Sequence, residues 1–234
     1  MSGHSKWATT KRAKAVTDSK RSSLFTKLSK NITVAARDGV DPAMNFKLRI
    51  AIDQARNFNM PKDNVERAIN KASGAGAGAI LESLLYEAYG PDGIAILIEV
   101  VTDNRNRTVS NLKHILNKYD GSLAGTGSVM WMFDTRGQIV LDTKDLSDTD
   151  ELDIIEAGAI DIIRDEQVKV ITGINDLEKV KNIIQAKNIK ISASELVYLA
   201  KTLVEPKDSE KLLKLLDTID DDDDVNNIYT NANI

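Results

Sequence analysis

The sequence predicts an α+β protein in three parts: an N-terminal three-helix domain followed by two α/β domains, the ferredoxin-like one inserted in the other. Three observations predict it. Apolar residues recur at helical spacing as far as residue 72. The stretch 73–79, where glycine alternates with alanine, has the composition of a flexible linker. Beyond it the period changes to that of strands, and residues 138–199 read strand, helix, strand, strand, helix, strand, the split βαβ order. The expected boundaries are 1–75 for the arm and helical domain, 80–134 with 200–234 for the split α/β domain, and 135–199 for the insert.

Residues 1–22 lack an apolar stripe and read as a basic arm with Trp7 as its one large apolar side chain. A helix over 23–37 buries Leu24, Leu28, Ile32, Ala35 and Ala36 and stops at Gly39. Asp41 then reads as an N-cap with Pro42 at the first helical position, opening a helix over 42–58 that buries Met44, Leu48, Ala51, Ile52 and Ala55. A short third helix follows Pro61, with Asp63 and Glu66 placed like a capping box and a face of Val65, Ala68, Ile69 and Ala72.

Strands over 84–89 and 94–101 flank Gly90-Pro-Asp-Gly93 and predict a hairpin. A helix over 107–119 buries Val109, Leu112, Ile115 and Leu116, and a strand over 129–133 follows. After Thr135-Arg-Gly137 the insert reads as strand 138–143, helix 149–159, strands 160–164 and 167–172, helix 175–187 and strand 189–199. A helix over 208–219, with Leu212, Leu213, Leu215, Leu216 and Ile219 on one face, precedes a last strand over 225–229. That helix and strand need a sheet to complete, and the segment before the insert has one to share.

Composition narrows the function. The longest apolar run, 94–101 interrupted by Glu99, is too short to span a bilayer, so no membrane partner is expected. The first 21 residues have charge but no apolar core of a secretion signal, and a transit-peptide reading suffers from Lys outnumbering Arg. The absence of Cys excludes disulfides, thiolate metal sites and thiol nucleophiles, and fits a reducing cytoplasm. His4 and His114 have no adjacent carboxylate pair, and neither a zinc-protease nor a nucleophile-elbow motif is present. No catalytic residue, metal, cofactor or small-molecule substrate is therefore expected. Asp220–Asp224 reads as a solvated helix-ending turn. With no heptad seam, a monomer is expected.

The net charge of −4 conceals a dipole. Residues 1–75 hold 15 Lys and Arg against 6 Asp and Glu, a balance of +9, while the remainder holds 16 against 29, a balance of −13. Within 1–37 nine cations (Lys6, Lys11, Arg12, Lys14, Lys20, Arg21, Lys27, Lys30 and Arg37) face Asp18 alone. Like charges at that density repel unless a polyanion neutralises them, which makes nucleic acid the expected partner. Trp7 either stacks on an unpaired base or anchors the arm to the helices. In Thr102-Asp-Asn-Arg-Asn-Arg-Thr108, Arg105 and Arg107 stand where a strand passes into a helix and so can meet a phosphate, unless Asp103 or Asn104 merely caps that helix. The glycine-rich loop 121–127 lacks a lysine and reads as loop geometry, and 73–79 lacks the spacing of a phosphate loop.

Several strings then carry a resemblance. Gly3-His-Ser-Lys-Trp7, Phe25-Thr-Lys-Leu28, Ile32-Thr-Val-Ala-Ala-Arg37, Asn59-Met-Pro-Lys-Asp-Asn64, Glu66-Arg-Ala-Ile69, Tyr89-Gly-Pro91, the 102–108 run, Gly127-Ser-Val129, Trp131-Met-Phe133 and Asp223-Asp-Val-Asn-Asn-Ile-Tyr229 resemble the YebC family over essentially the whole chain. The resemblance implies the same three-domain arrangement, no enzymatic activity, and a cytoplasmic DNA-binding transcriptional regulator. Relatives such as a mitochondrial translational activator for a cytochrome oxidase subunit imply instead a partner in ribosomal RNA or the ribosome. The chain departs from the usual pattern at Thr9-Thr-Lys-Arg12 and in a shorter turn over 37–42, and keeps its basic character at both. No helix displays an evident base-reading set of Asn, Gln and Arg, so binding is expected to be largely indifferent to sequence. A protein adaptor working through the inserted sheet is the third reading.

Overall fold

A computed structural model describes residues 18–72 and 80–234. The stretch 73–79, expected as a linker, lies outside the described residues.

Helix α1 (Asp18–Ala35) runs into a 3-10 turn (Ala36–Asp38), and α2 (Phe46–Asn57) and α3 (Lys62–Ala72) pack against it. Leu28, Ile32, Ala35 and Ala36 meet Leu48, Ala51, Ile52, Ala55, Val65 and Ala68 in one core. Inside it Thr33 Oγ1 donates to the Ala68 carbonyl at 3.0 Å. Helix α2 starts later than expected. Its N-cap is Asn45, whose Oδ1 accepts from Leu48 N at 3.1 Å while Nδ2 donates to the Ala35 and Gly39 carbonyls, each at 2.7 Å. A carboxylate at that position has no donors and cannot tie two helix ends together. Asp41 instead accepts from Ala43 N at 2.9 Å in a local turn. Likewise α3 begins at Lys62, so Asp63 lies inside the first turn rather than capping it.

Two antiparallel four-stranded sheets follow. The first has the order β3-β1-β2-β8, from β1 (Glu82–Tyr89), β2 (Ala95–Thr102), β3 (Ser122–Leu123) and β8 (Val225–Thr230). The expected hairpin turns through a 3-10 segment (Pro91–Gly93) in which Asp92 and Gly93 both have positive φ. Helices α4 (Arg105–Lys118) and α7 (Ser209–Asp220) cover one face, where Ile96, Ile98, Leu112, Leu116, Leu212, Leu216 and Ile228 are all fully buried. The last strand of the chain thus completes the sheet that the first hairpin begins.

The second sheet has the order β5-β6-β4-β7, from β4 (Phe133–Leu141), β5 (Ala159–Arg164), β6 (Val168–Thr172) and β7 (Ile191–Ala200), with α5 (Asp148–Glu156) and α6 (Leu177–Ala186) on one face. This is the ferredoxin-like arrangement, and it sits between α4 and α7 in sequence. The strands that enter and leave it, β4 and β7, pair along their whole lengths from Phe133 with Ala200 to Leu141 with Ile191. The two sheets meet back to back through Ala95, Leu97 and Tyr229 on one side and Phe133, Ile171, Val197 and Leu199 on the other. Tyr198 and Tyr229 make an edge contact there at 5.1 Å.

The expected strands 129–133 and 138–143 are in fact one strand, β4, preceded by a 3-10 turn (Met130–Met132). Gly137 was the misleading signal. A Cβ there would lie 2.3 Å from Thr172 Oγ1 and 2.9 Å from Leu177 Cδ1, so the glycine marks close approach of strand and helix rather than a turn.

Candidate nucleic-acid interface

Of the residues expected to meet a polyanion, Lys6, Trp7, Lys11, Arg12 and Lys14 lie outside the described residues, as does the side chain of Lys20. Arg21 is exposed, with its guanidinium over the Phe25 ring at 5.6 Å. Arg105 is exposed at the start of α4.

Four others have partners inside the chain. Lys27 is buried, and its Nζ donates to the Asp220 carbonyl at 2.6 Å. Lys30 Nζ donates to the Asp223 carbonyl at 2.9 Å and to Asp224 Oδ1 at 2.8 Å. Arg37 reaches the Leu81 carbonyl across the 73–79 junction. Arg107 donates to Asp103 at 3.0 Å and to Asp224 Oδ2 at 2.8 Å. Ser23 Oγ adds a bond to Asp223 at 2.7 Å, and Asn226 a contact to Asn31. The basic helix is therefore docked on the acidic end of α7 and the start of β8.

Asp224 is the hub of that seam, and it corrects the reading of 220–224 as a solvated turn. It is 5% exposed and also accepts from Thr102 Oγ1 at 3.0 Å and Thr108 Oγ1 at 2.8 Å. Burial disfavours its charged form, but the bonds from Lys30, Arg107 and Thr108 outweigh burial and hold the carboxyl at about 2. Asn104 caps α4 by accepting from Arg107 N at 3.1 Å, as the capping alternative expected, but Arg107 is paired with Asp103 and Asp224 rather than solvated. The signal for this hub in the sequence is the pairing of opposite charge balances on either side of residue 75; nothing local singles out Asp224 among five consecutive aspartates.

The outward face of α4 is a surface that sequence reasoning reached only at its first turn. The helix has no acidic residue over its 14 positions and exposes Arg105, Asn106, Asn111, Lys113, His114 and Lys118. It lies on the part of the chain that is otherwise acidic. A cleft of about 360 Å³ between α2 and α6 gathers Arg49, Arg56 and Lys181, but Asp53 and Glu178 face them. With Lys181 Nζ 2.9 Å from Asp53 Oδ2, it is a charge-matched seam between the helices and the insert. Among the described residues, no His, Cys, Asp and Glu side chains are grouped to hold a metal, and no helix is long and apolar enough to cross a membrane.

Fold and seam define a three-domain α+β protein whose basic helical module docks on the acidic end of its own α/β portion. Residues 5–75 match the model of the TACO1/YebC protein N-terminal domain, and residues 81–232 that of the TACO1/YebC second and third domain. The chain belongs to the TACO1/YebC family. It is 46% identical over 240 residues to a "Probable transcriptional regulatory protein" of Trichlorobacter lovleyi, covering 100% of this chain and 96% of the relative. A protein of the same name from Desulforamulus reducens is 44% identical over 238 residues, covering 99% and 98%. The crystal structure of a conserved hypothetical protein from Aquifex aeolicus superposes with a TM-score of 0.87 at 37% identity, covering 97% of this chain and 96% of that one.

Proposed function

We propose that this chain is a non-enzymatic cytoplasmic regulator of gene expression that binds the phosphate backbone of nucleic acid, acting on DNA as a transcriptional regulator. The observation that carries the reading is the partition of charge. Segment 1–75 holds a balance of +9, and Lys27 and Lys30 of its cations are engaged in the seam with the acidic end of α7. The arm cations with Arg21, and the acid-free outer face of α4 beginning at Arg105, are the proposed contacts. The names borne by the relatives support the regulatory part of the reading. If about five cations engage phosphates, log K falls against log salt with a slope of roughly −3.5 to −4.5.

A second reading, binding to ribosomal RNA, is favoured by one feature. The α4 face is part of a region whose balance is −13, which a long duplex repels but an irregular RNA surface can bypass. Salt-dependent gel shifts on duplex DNA, set beside cosedimentation with ribosomes, separate the two. Retention on ribosomes at physiological salt with only micromolar duplex binding rejects the transcriptional reading. Deletion of residues 1–22 is expected to weaken either interaction, and unchanged binding to both would remove the arm from the interface.

A further inference from the structure

Trp131 stands 64% exposed on the turn Met130–Met132, in a chain with only two tryptophans. The exposure is not that of a loose loop. Glu87, itself 6% exposed, receives three backbone N–H groups of the segment leading to the turn: Gly127 at 2.5 Å, Val129 at 2.6 Å and Met130 at 2.9 Å. Tyr89 Oη donates to the Ser128 carbonyl at 3.1 Å, and Val129 and Phe133 on either side of the turn are buried in the core between the sheets. Lys201 clamps the other end, its backbone N–H donating to the Met132 carbonyl at 2.9 Å and its Nζ to the Trp131 carbonyl at 2.8 Å. Trp131 Nε1, the one polar atom of the indole, donates to the Ser128 carbonyl at 3.0 Å.

The consequence is a ring fixed in orientation before any ligand arrives. Its hydrogen-bond donor is already satisfied, so what it offers outward is π surface. The three amide bonds to Glu87 fix the backbone that carries the ring. Lys201 Nζ also lies 3.6 Å from Asp134 Oδ1, and Asp134 is shared with Arg136 at 3.1 Å, so two cations and one carboxylate leave one net positive charge beside the ring. An aromatic face held rigid next to a small cationic cluster is the layout of a base-stacking platform. The geometry points to Trp131 as the seat of an unpaired nucleobase, with Lys201 beside the adjoining phosphate. This rests on the nucleic-acid reading and adds to it a site on the side of the first sheet away from α4 and α7, together with a preference for unpaired over duplex strands.

The test uses the full chain carrying Trp7→Phe, which leaves Trp131 as the one indole. Short pyrimidine-rich RNA and DNA single strands, and the matching duplex, are titrated while indole fluorescence and affinity are followed. Saturable quenching by single strands but not by duplex is expected, with the RNA and DNA arms showing which sugar is preferred. Trp131→Ala should weaken single-strand binding roughly 10-fold, Trp131→Phe should retain most of it, and duplex affinity should stay within about twofold. Unchanged single-strand affinity in Trp131→Ala, alongside intact binding by the arm, overturns the platform alone. Failure of the unsubstituted chain, with Trp7 in place, to bind any strand at low salt overturns the platform and the nucleic-acid reading together. Loss of a nuclease-resistant protein partner in Trp131→Ala, with nucleic-acid affinity unchanged, assigns the ring to protein contact and likewise overturns it.

Discussion

Asp224 and Glu87 are buried carboxylates used in different ways. Glu87 is set against backbone amides, and although burial opposes ionisation, its bonds to Val129, Gly127 and Met130 lower its pKa. Asp224 is set against charged side chains from α1 and α4, and its value falls to about 2. A carboxyl depressed in the folded state contributes stability that is complete above the unfolded value and is lost as pH falls through the folded one. With an unfolded value near 3.9, the Asp224 contribution is about 2–3 kcal/mol, present above roughly pH 5 and lost between about pH 4 and 2. Asp224→Asn keeps the shape and removes the charge that Lys30 and Arg107 face. Urea unfolding should show that variant about 2–3 kcal/mol less stable at pH 7 and less sensitive to acid below pH 4. Parallel pH profiles for the two proteins would place the acid sensitivity on another group.

At the scale of elements, Gly137 makes the sharpest prediction. A methyl group there meets Thr172 Oγ1 and the side chain of Leu177 at distances real Cβ atoms do not show. Gly137→Ala should therefore force β6 or α6 outward and lower stability by about 1–3 kcal/mol in thermal unfolding, despite alanine being the better strand residue. That close approach explains why the sequence read as a break where the structure has continuous strand. Elements whose evidence is periodic were legible: α1 through Leu28 and Ile32, α7 through Leu212, Leu215, Leu216 and Ile219, and the insert through its order of strands and helices. Elements set by one long-range contact were not. Asn45 caps α2 because Ala35 and Gly39 present carbonyls to it, and no spacing within 41–48 announces that. The candidate site divides in the same way. Charge balance marks the basic segment, but which cations face inward depends on where α1 docks, 193 residues away in sequence from Asp220 and Asp223.

Across the whole molecule, the helical module touches both α/β units through seams rich in polar contacts. One is the seam around Asp224. The other joins α2 to the insert through Lys181 and Asp53, through Asn57 Nδ2 donating to the Ser192 carbonyl at 2.6 Å, and through Phe46 and Ile50 at the edge of the insert's core. Cations in these seams and cations proposed to face nucleic acid are thus separable groups, and substitution can tell them apart. Lys30→Ala removes a bond to Asp224 but no outward-facing charge, so hydrogen exchange in α1 should accelerate while exchange in β4 to β7 stays as it was. Its slope of log K against log salt should match the parent. Arg105→Ala and Lys113→Ala should do the reverse, leaving exchange in α1 unchanged and each making that slope shallower by about 0.7–0.9. If instead Lys30→Ala flattens the slope, Lys30 must leave Asp224 to reach a phosphate, and binding would then have to open the seam that holds the helical module down.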